Sequence, residues 1–201
     1  FDAHNRQTAW FEQDLIDHSD STFKVAGYHK PMRPHTQSKP ENDYLVNDWA
    51  PLYDDHDVAI AYESDTHNHV FTFPIRLAGS GESGDMGFVR DDGNGTLHVG
   101  EGSWGATPRD NNDDKSWTLD SASMNQVKWN WVFPAADGEP ARIEIRSVKT
   151  AEYIDGTLTG FVDAVGENTE ADVFAYPDGI SIRQIPFYGD YIQYPFEAAS
   201  G

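Results

Sequence analysis

Two compact apolar runs, residues 23–28 and 58–62, each lead directly into a histidine phrase. The first phrase is Val25-Ala26-Gly27-Tyr28-His29-Lys30-Pro31, the second Glu63-Ser64-Asp65-Thr66-His67-Asn68-His69. Short apolar runs bounded by turn residues read as buried strands. Residues 7–17 carry Trp10, Phe11, Leu15 and Ile16 near helical spacing, and residues 43–53 do the same with Tyr44, Leu45, Trp49 and Leu52. The order helix, strand, helix, strand predicts two parallel strands joined by a crossover. Open sheets of that kind gather ligands at the C-terminal ends of their strands, which is where these histidines fall. Imidazole is the commonest protein ligand for first-row metals. On extended backbone His67 and His69 share a face, and in a loop they straddle two neighbouring ions. The alternatives are a polar turn for the pair and a surface histidine before a Lys-Pro turn for His29.

The pattern changes after residue 70. Strands are predicted over 70–75, 96–99, 126–132, 141–148, 157–162 and 180–184, separated by Gly, Asn and Asp turns, so the fold class is α+β and β-rich after residue 70. Asp91-Asp92-Gly93-Asn94-Gly95-Thr96 lacks the Asp-x-Asp-x-Asp-Gly spacing of a calcium loop and reads as a hairpin turn. Residues 109–115 read as a solvated loop. Trp117, Trp129, Trp131 and Phe133 read as core β residues, with a sugar-binding face as the alternative. A break near Gly156 divides the chain into residues 1–150 and a β-rich extension, 151–201, whose aromatic tail packs across the rest.

The chain has 201 residues, is 38% hydrophobic and 13% aromatic, and has a formal net charge of −20. A core is within reach, while nucleic acid and anionic membrane surfaces are poor partners for so acidic a protein. A phosphate site would need local positive charge, most directly from bound metal. With no cysteine, disulfides and thiolate-bound zinc or iron are excluded. No apolar run approaches the ~18 residues of a membrane span. The chain opens on Phe1 without a leader, which we read as the mark of processing or of a longer parent, with a periplasmic or extracellular setting expected.

Several phrases together resemble the C-terminal half of the calcineurin-like metallophosphoesterases, in the branch of purple acid phosphatases and alkaline phosphatase/phosphodiesterases. They are Gln7-Thr8-Ala9-Trp10-Phe11, the strand into His29-Lys30-Pro31, Trp49-Ala50-Pro51-Leu52-Tyr53, Asp57-Val58-Ala59-Ile60-Ala61, His67-x-His69 and Gly95-Thr96-Leu97-His98-Val99 through Ala106. The resemblance covers residues 7 to about 150. It implies the C-terminal half of a four-layer α/β/β/α sandwich that hydrolyses phosphate mono- or diesters at two metal ions (iron, manganese or zinc). It assigns His29 and His67 to one ion and His69 to the other. It makes His35 a candidate for contacting phosphate or protonating the leaving group, a solvated loop histidine being the alternative. Two departures stand out. Thr66 occupies a position where the family has glycine, so the turn is expected to differ. The family's upstream Asp-x-His, Gly-Asp and Gly-Asn-His motifs have no counterpart before His29. Three neutral imidazoles supply no bridging carboxylate for a two-metal centre. The resemblance therefore implies an N-terminal half as partner, without which the chain is inactive.

Two other classes compete. A mononuclear cupin-type metal protein would use His-x-His, but Val70-Phe71-Thr72-Phe73-Pro74-Ile75 follows where a cupin has glutamate. A non-catalytic carbohydrate-binding module would use exposed tryptophans.

Overall fold

The computed structural model describes residues 3–100, 106–123, 125–151, 153–154, 157–158, 172–175 and 181–187. The fold is mixed α/β, with few helices and mostly strands. Helix α1 (Ala3–Asp17) leads into strand β1 (Lys24–Gly27). Two short helices, α2 (Asp43–Asp48) and α3 (Ala50–Asp55), precede β2 (Val58–Tyr62). The expected single helix over 43–53 is split at Trp49, which ends one helix and begins the other. Pro51 stands in the first turn of α3, where its missing N–H costs nothing, but it cannot donate back into a continuous helix.

Next come β3 (His69–Thr72), β4 (Ile75–Leu77), β5 (Phe88–Arg90), β6 (Leu97–Gly100) and β7 (Thr118–Ala122). The expected strand over 70–75 is two strands, because Pro74 has no N–H for the ladder and Phe73 N–H donates instead to the Trp117 carbonyl. A five-stranded sheet has the order β1-β2-β6-β3-β7. β1 and β6 both pair parallel with β2, while β3 runs antiparallel to β6 and β7. The parallel crossover expected between the two apolar runs is therefore present.

Residues 91–96 form a turn but no hairpin, because β5 pairs with β4 while β6 belongs to the five-stranded sheet. Asp91 Oδ1 accepts the N–H groups of Gly93 and Asn94, both at 3.1 Å. A Cβ on Gly95 would lie 2.6–2.7 Å from backbone atoms of Ile75, Asp91 and Pro74, so only glycine fits there.

A four-stranded sheet comprises β8 (Asn125–Phe133), β9 (Arg142–Ala151), β12 (Asp172–Ala175) and β13 (Ser181–Phe187), in the order β12-β13-β9-β8. β10 (Tyr153–Ile154) and β11 (Thr157–Leu158) pair with each other. The rest of the strand expected over 157–162, the break near Gly156 and most of the aromatic tail lie outside the described residues.

The core has two parts, one on each face of the five-stranded sheet. On one face Leu15, Leu45, Leu52, Tyr53, Val58 and Ala61 join the helices to the sheet, with Phe11 packed against them. On the other, Ile60, Phe71, Leu97 and Val99 meet Ile143 and Ile145 of β9. Ile60 and Ala61 lie on opposite faces, as the period of two requires, and the layers run helices, sheet, sheet. Phe11 and Leu15 (i, i+4) form the inward stripe of α1, with the Phe11 ring 5.2 Å from Trp49. Trp10 and Ile16, expected on that stripe, face solvent at 63% and 47% exposure. Trp117 is core as expected, whereas Trp131 is 45% exposed, and Trp129 lies where side chains are not described.

Candidate functional site

The parallel pair sets the site. Beyond the last paired residues the ladder takes two further steps: Tyr28 N–H donates to the Tyr62 carbonyl and Ser64 N–H to the His29 carbonyl, both at 3.0 Å. The backbone of His29 is thereby bonded to the first turn of the 63–69 loop, and the two histidine phrases leave the sheet at one edge.

The loop turns in an unusual way. Thr66 N–H reaches back to the Ser64 carbonyl at 2.8 Å, around Asp65 at φ 69°. This is the rare strained γ-turn. His67 is also left-handed, at φ 63°. Thr66, standing where the resemblance has glycine, is fully buried, and the left-handed backbone falls on its two neighbours. Each such residue costs about 1–2 kcal/mol, so contacts must hold it. Asp65 takes Lys39 Nζ on Oδ1 at 2.7 Å and Arg109 on its carbonyl at 2.5 Å. Burial would raise the Asp65 carboxyl, but the Lys39 hydrogen bond and the charges of Lys39, His29 and Arg109 outweigh it and hold it below the usual range.

The four predicted site residues have different fates. His29 is exposed, its Nε2 3.6 Å from Asp65 Oδ1. His67 is half-buried, with Nδ1 3.0 Å from the Thr107 carbonyl. A carbonyl can only accept, so Nδ1 carries a proton. His69 is buried in β3, and its Nε2 donates to Asp120 Oδ2 at 3.0 Å. His35 is 1% exposed, with Nε2 2.8 Å from Thr118 Oγ1 and its ring edge-on to Trp117. The solvated alternative for His35 is thus ruled out.

Three loops meet over this edge. Asn42, through its N–H to Met32 and its amide to the Pro31 carbonyl, closes the 30–42 loop. Gln37 bonds Asn112 twice, and the Asn68 amide reaches Asp110 and Asn111. The stretch 109–115, expected to be a solvated loop, is therefore pinned to the site, with Lys115 buried beside Asp113 at 2.7 Å.

Sequence reasoning missed a buried carboxylate. Glu63, at the root of the loop, is 6% exposed. Its Oε1 accepts Tyr28 O–H at 2.6 Å, Met32 N–H at 2.9 Å and His98 Nδ1–H at 3.1 Å. Burial alone would push the carboxyl up, yet the His98 charge and these three bonds together hold it below its ordinary value. Burial, with the Glu63 charge nearby, pushes the Tyr28 and Tyr53 hydroxyls well up, so both stay protonated. The one hint in the sequence was a glutamate closing an otherwise apolar strand; its partner is 35 residues away.

Two spaces adjoin these residues. A cavity of about 10 Å³, lined by Glu63, His98, His35 and Thr72 among others, is near the lower limit for one water molecule. A groove of about 370 Å³ lies between α1, α2 and the end of β1, with Tyr28, His29, Lys30, Tyr44 and Trp49 among its walls.

Among the described residues, no group of three or more His, Asp or Glu is arranged to hold a metal ion. His69 commits Nε2 to Asp120, and Asp65 is engaged by Lys39. These residues do not by themselves fit a metal. No helix among the described residues is long and apolar enough to cross a membrane. No family model matches the chain, and no curated protein does either.

Proposed function

We propose that this chain is the histidine-bearing C-terminal part of a dinuclear metallophosphoesterase that hydrolyses phosphate mono- or diesters. The observation that carries the reading is the bond from Ser64 N–H to the His29 carbonyl, which brings both histidine phrases to one sheet edge. The layer order supports it, since helices, sheet and sheet are three layers of the four that such a sandwich needs. His29 and His67 are the residues offered to one ion and His69 to the other, with Asp120 as the group that orients His69. His35, in its buried position, supports the edge and reaches substrate only if the 30–42 loop opens. An N-terminal half supplies the carboxylates that bridge and neutralise two dications.

The test uses the complete reading frame, assayed with p-nitrophenyl phosphate and its bis-ester in the presence of manganese, iron or zinc. His67→Ala is expected to lower turnover more than 100-fold and to reduce bound metal. Full activity and metal content in that variant would reject the assignment.

One observation favours the second reading, a carbohydrate-binding module: Trp131 and Val132 stand 45% and 61% exposed on β8. Quenching of tryptophan fluorescence by glycans, lost in Trp131→Ala, would support it.

A further inference from the structure

We propose that Glu63 is the positioning residue of the histidine edge, with His98 as its partner. The inference rests on the phosphoesterase reading of that edge. One carboxylate oxygen gathers donors from three places: Tyr28 next to His29, Met32 at the start of the 30–42 loop, and His98 on β6. Glu63 is also the first residue of the loop that carries Asp65 and His67. The two histidines of the edge thus hang from a single buried atom, one on each side.

The surroundings fix that atom. Glu63 N–H donates to the Val99 carbonyl at 2.9 Å. A Cβ on Gly100 would lie 2.9 Å from the Glu63 carbonyl oxygen and 3.2 Å from its Cβ, so β6 lies directly against the loop root. His98 is held in turn by Thr72, whose Oγ1 accepts the His98 N–H at 3.0 Å, and its ring lies between those of Tyr53 and Phe88, at 6.2 and 6.0 Å. A buried carboxylate–imidazole pair contributes little net stability compared with apolar residues of the same shape, but it fixes geometry. Groups that orient metal ligands typically change affinity or activity 10- to 100-fold when removed.

The experiment compares Glu63→Gln, His98→Phe and His98→Asn in the complete protein. Gln keeps the shape and an acceptor oxygen while removing the charge. Asn offers an N–H donor close to the imidazole Nδ1 position, whereas Phe offers none. The ring nitrogens of His29 and His67 are followed by long-range ¹H–¹⁵N NMR, and kcat and KM are measured with p-nitrophenyl phosphate. Expected are shifted ring signals in Glu63→Gln and His98→Phe, a kcat lowered about 10- to 100-fold at nearly constant KM, and recovery in His98→Asn. Lower melting temperatures with unmoved ring signals and unchanged kcat would overturn the proposal. Moved ring signals in a complete protein without phosphoesterase activity would uphold the positioning role and reject the enzyme reading. If Glu63→Gln fails to fold, the two His98 variants decide by the same readings.

Discussion

The 63–69 loop carries the same chemical pair, a carboxylate beside an imidazole, in two different settings. At its root Glu63 and His98 meet at 3.1 Å with side chains 4% and 5% exposed. At its tip Asp65 and His29 stand 3.6 Å apart, 18% and 74% exposed. The root is buried, with three donors on one carboxylate oxygen, while the His29 ring is exposed to water, where ion pairs contribute little. The difference teaches that the loop is anchored at one end and available at the other. A site that must meet a substrate needs both.

The largest effect should come from removing the anchor. Glu63→Leu leaves three buried donors unsatisfied and is expected to cost about 3–5 kcal/mol, read from urea denaturation. A loss below about 1 kcal/mol would mean that the root anchors nothing. Gly100→Ala should follow, at about 1–3 kcal/mol, because its methyl meets Glu63 backbone that has no room to move.

Acid should then distinguish root from tip. The Glu63 carboxyl is held low in the folded protein, so the unfolded chain binds that proton first as pH falls. Its contribution is fully present above the ordinary value of 4.5 and is lost as pH drops through the lower folded value. Glu63→Gln should therefore flatten the fall of stability below that value, and an unchanged slope would contradict the assignment. Smallest of all, Asp65→Asn should cost about 0–1 kcal/mol, with the difference from wild type shrinking further in 1 M salt. A larger, salt-insensitive loss would make the tip a second anchor.

Much of the frame was legible in the chain. The runs 23–28 and 58–62 gave β1 and β2, and the helical stretch between them gave the parallel crossover; β2 owes its apolar run to burial on both faces, whereas β1 leaves Val25 50% exposed. β8 and β9 were equally plain. Elements that depend on distant partners were not. β7 is Thr-Leu-Asp-Ser-Ala, half-buried along its length, with none of the alternation that marks a strand. His35 sits among polar residues in sequence and is buried by distant ones, Trp117 and Thr118 among them. Glu63 was passed over because no local pattern points to His98. The helix break at Trp49 was written in Pro51 but outweighed by the apolar spacing around it.

The parallel pairing of β1 with β2 also governs the order in which the protein can become itself. Lys24 pairs with Val58, and β2 pairs next with β6 at Leu97. No hairpin can join parallel strands; each contact waits for the intervening chain to be made and folded. A nascent polypeptide shows His29 long before His67 has left the ribosome. The edge is therefore assembled only when nearly a hundred residues have collapsed together, and an incomplete chain would present isolated imidazoles.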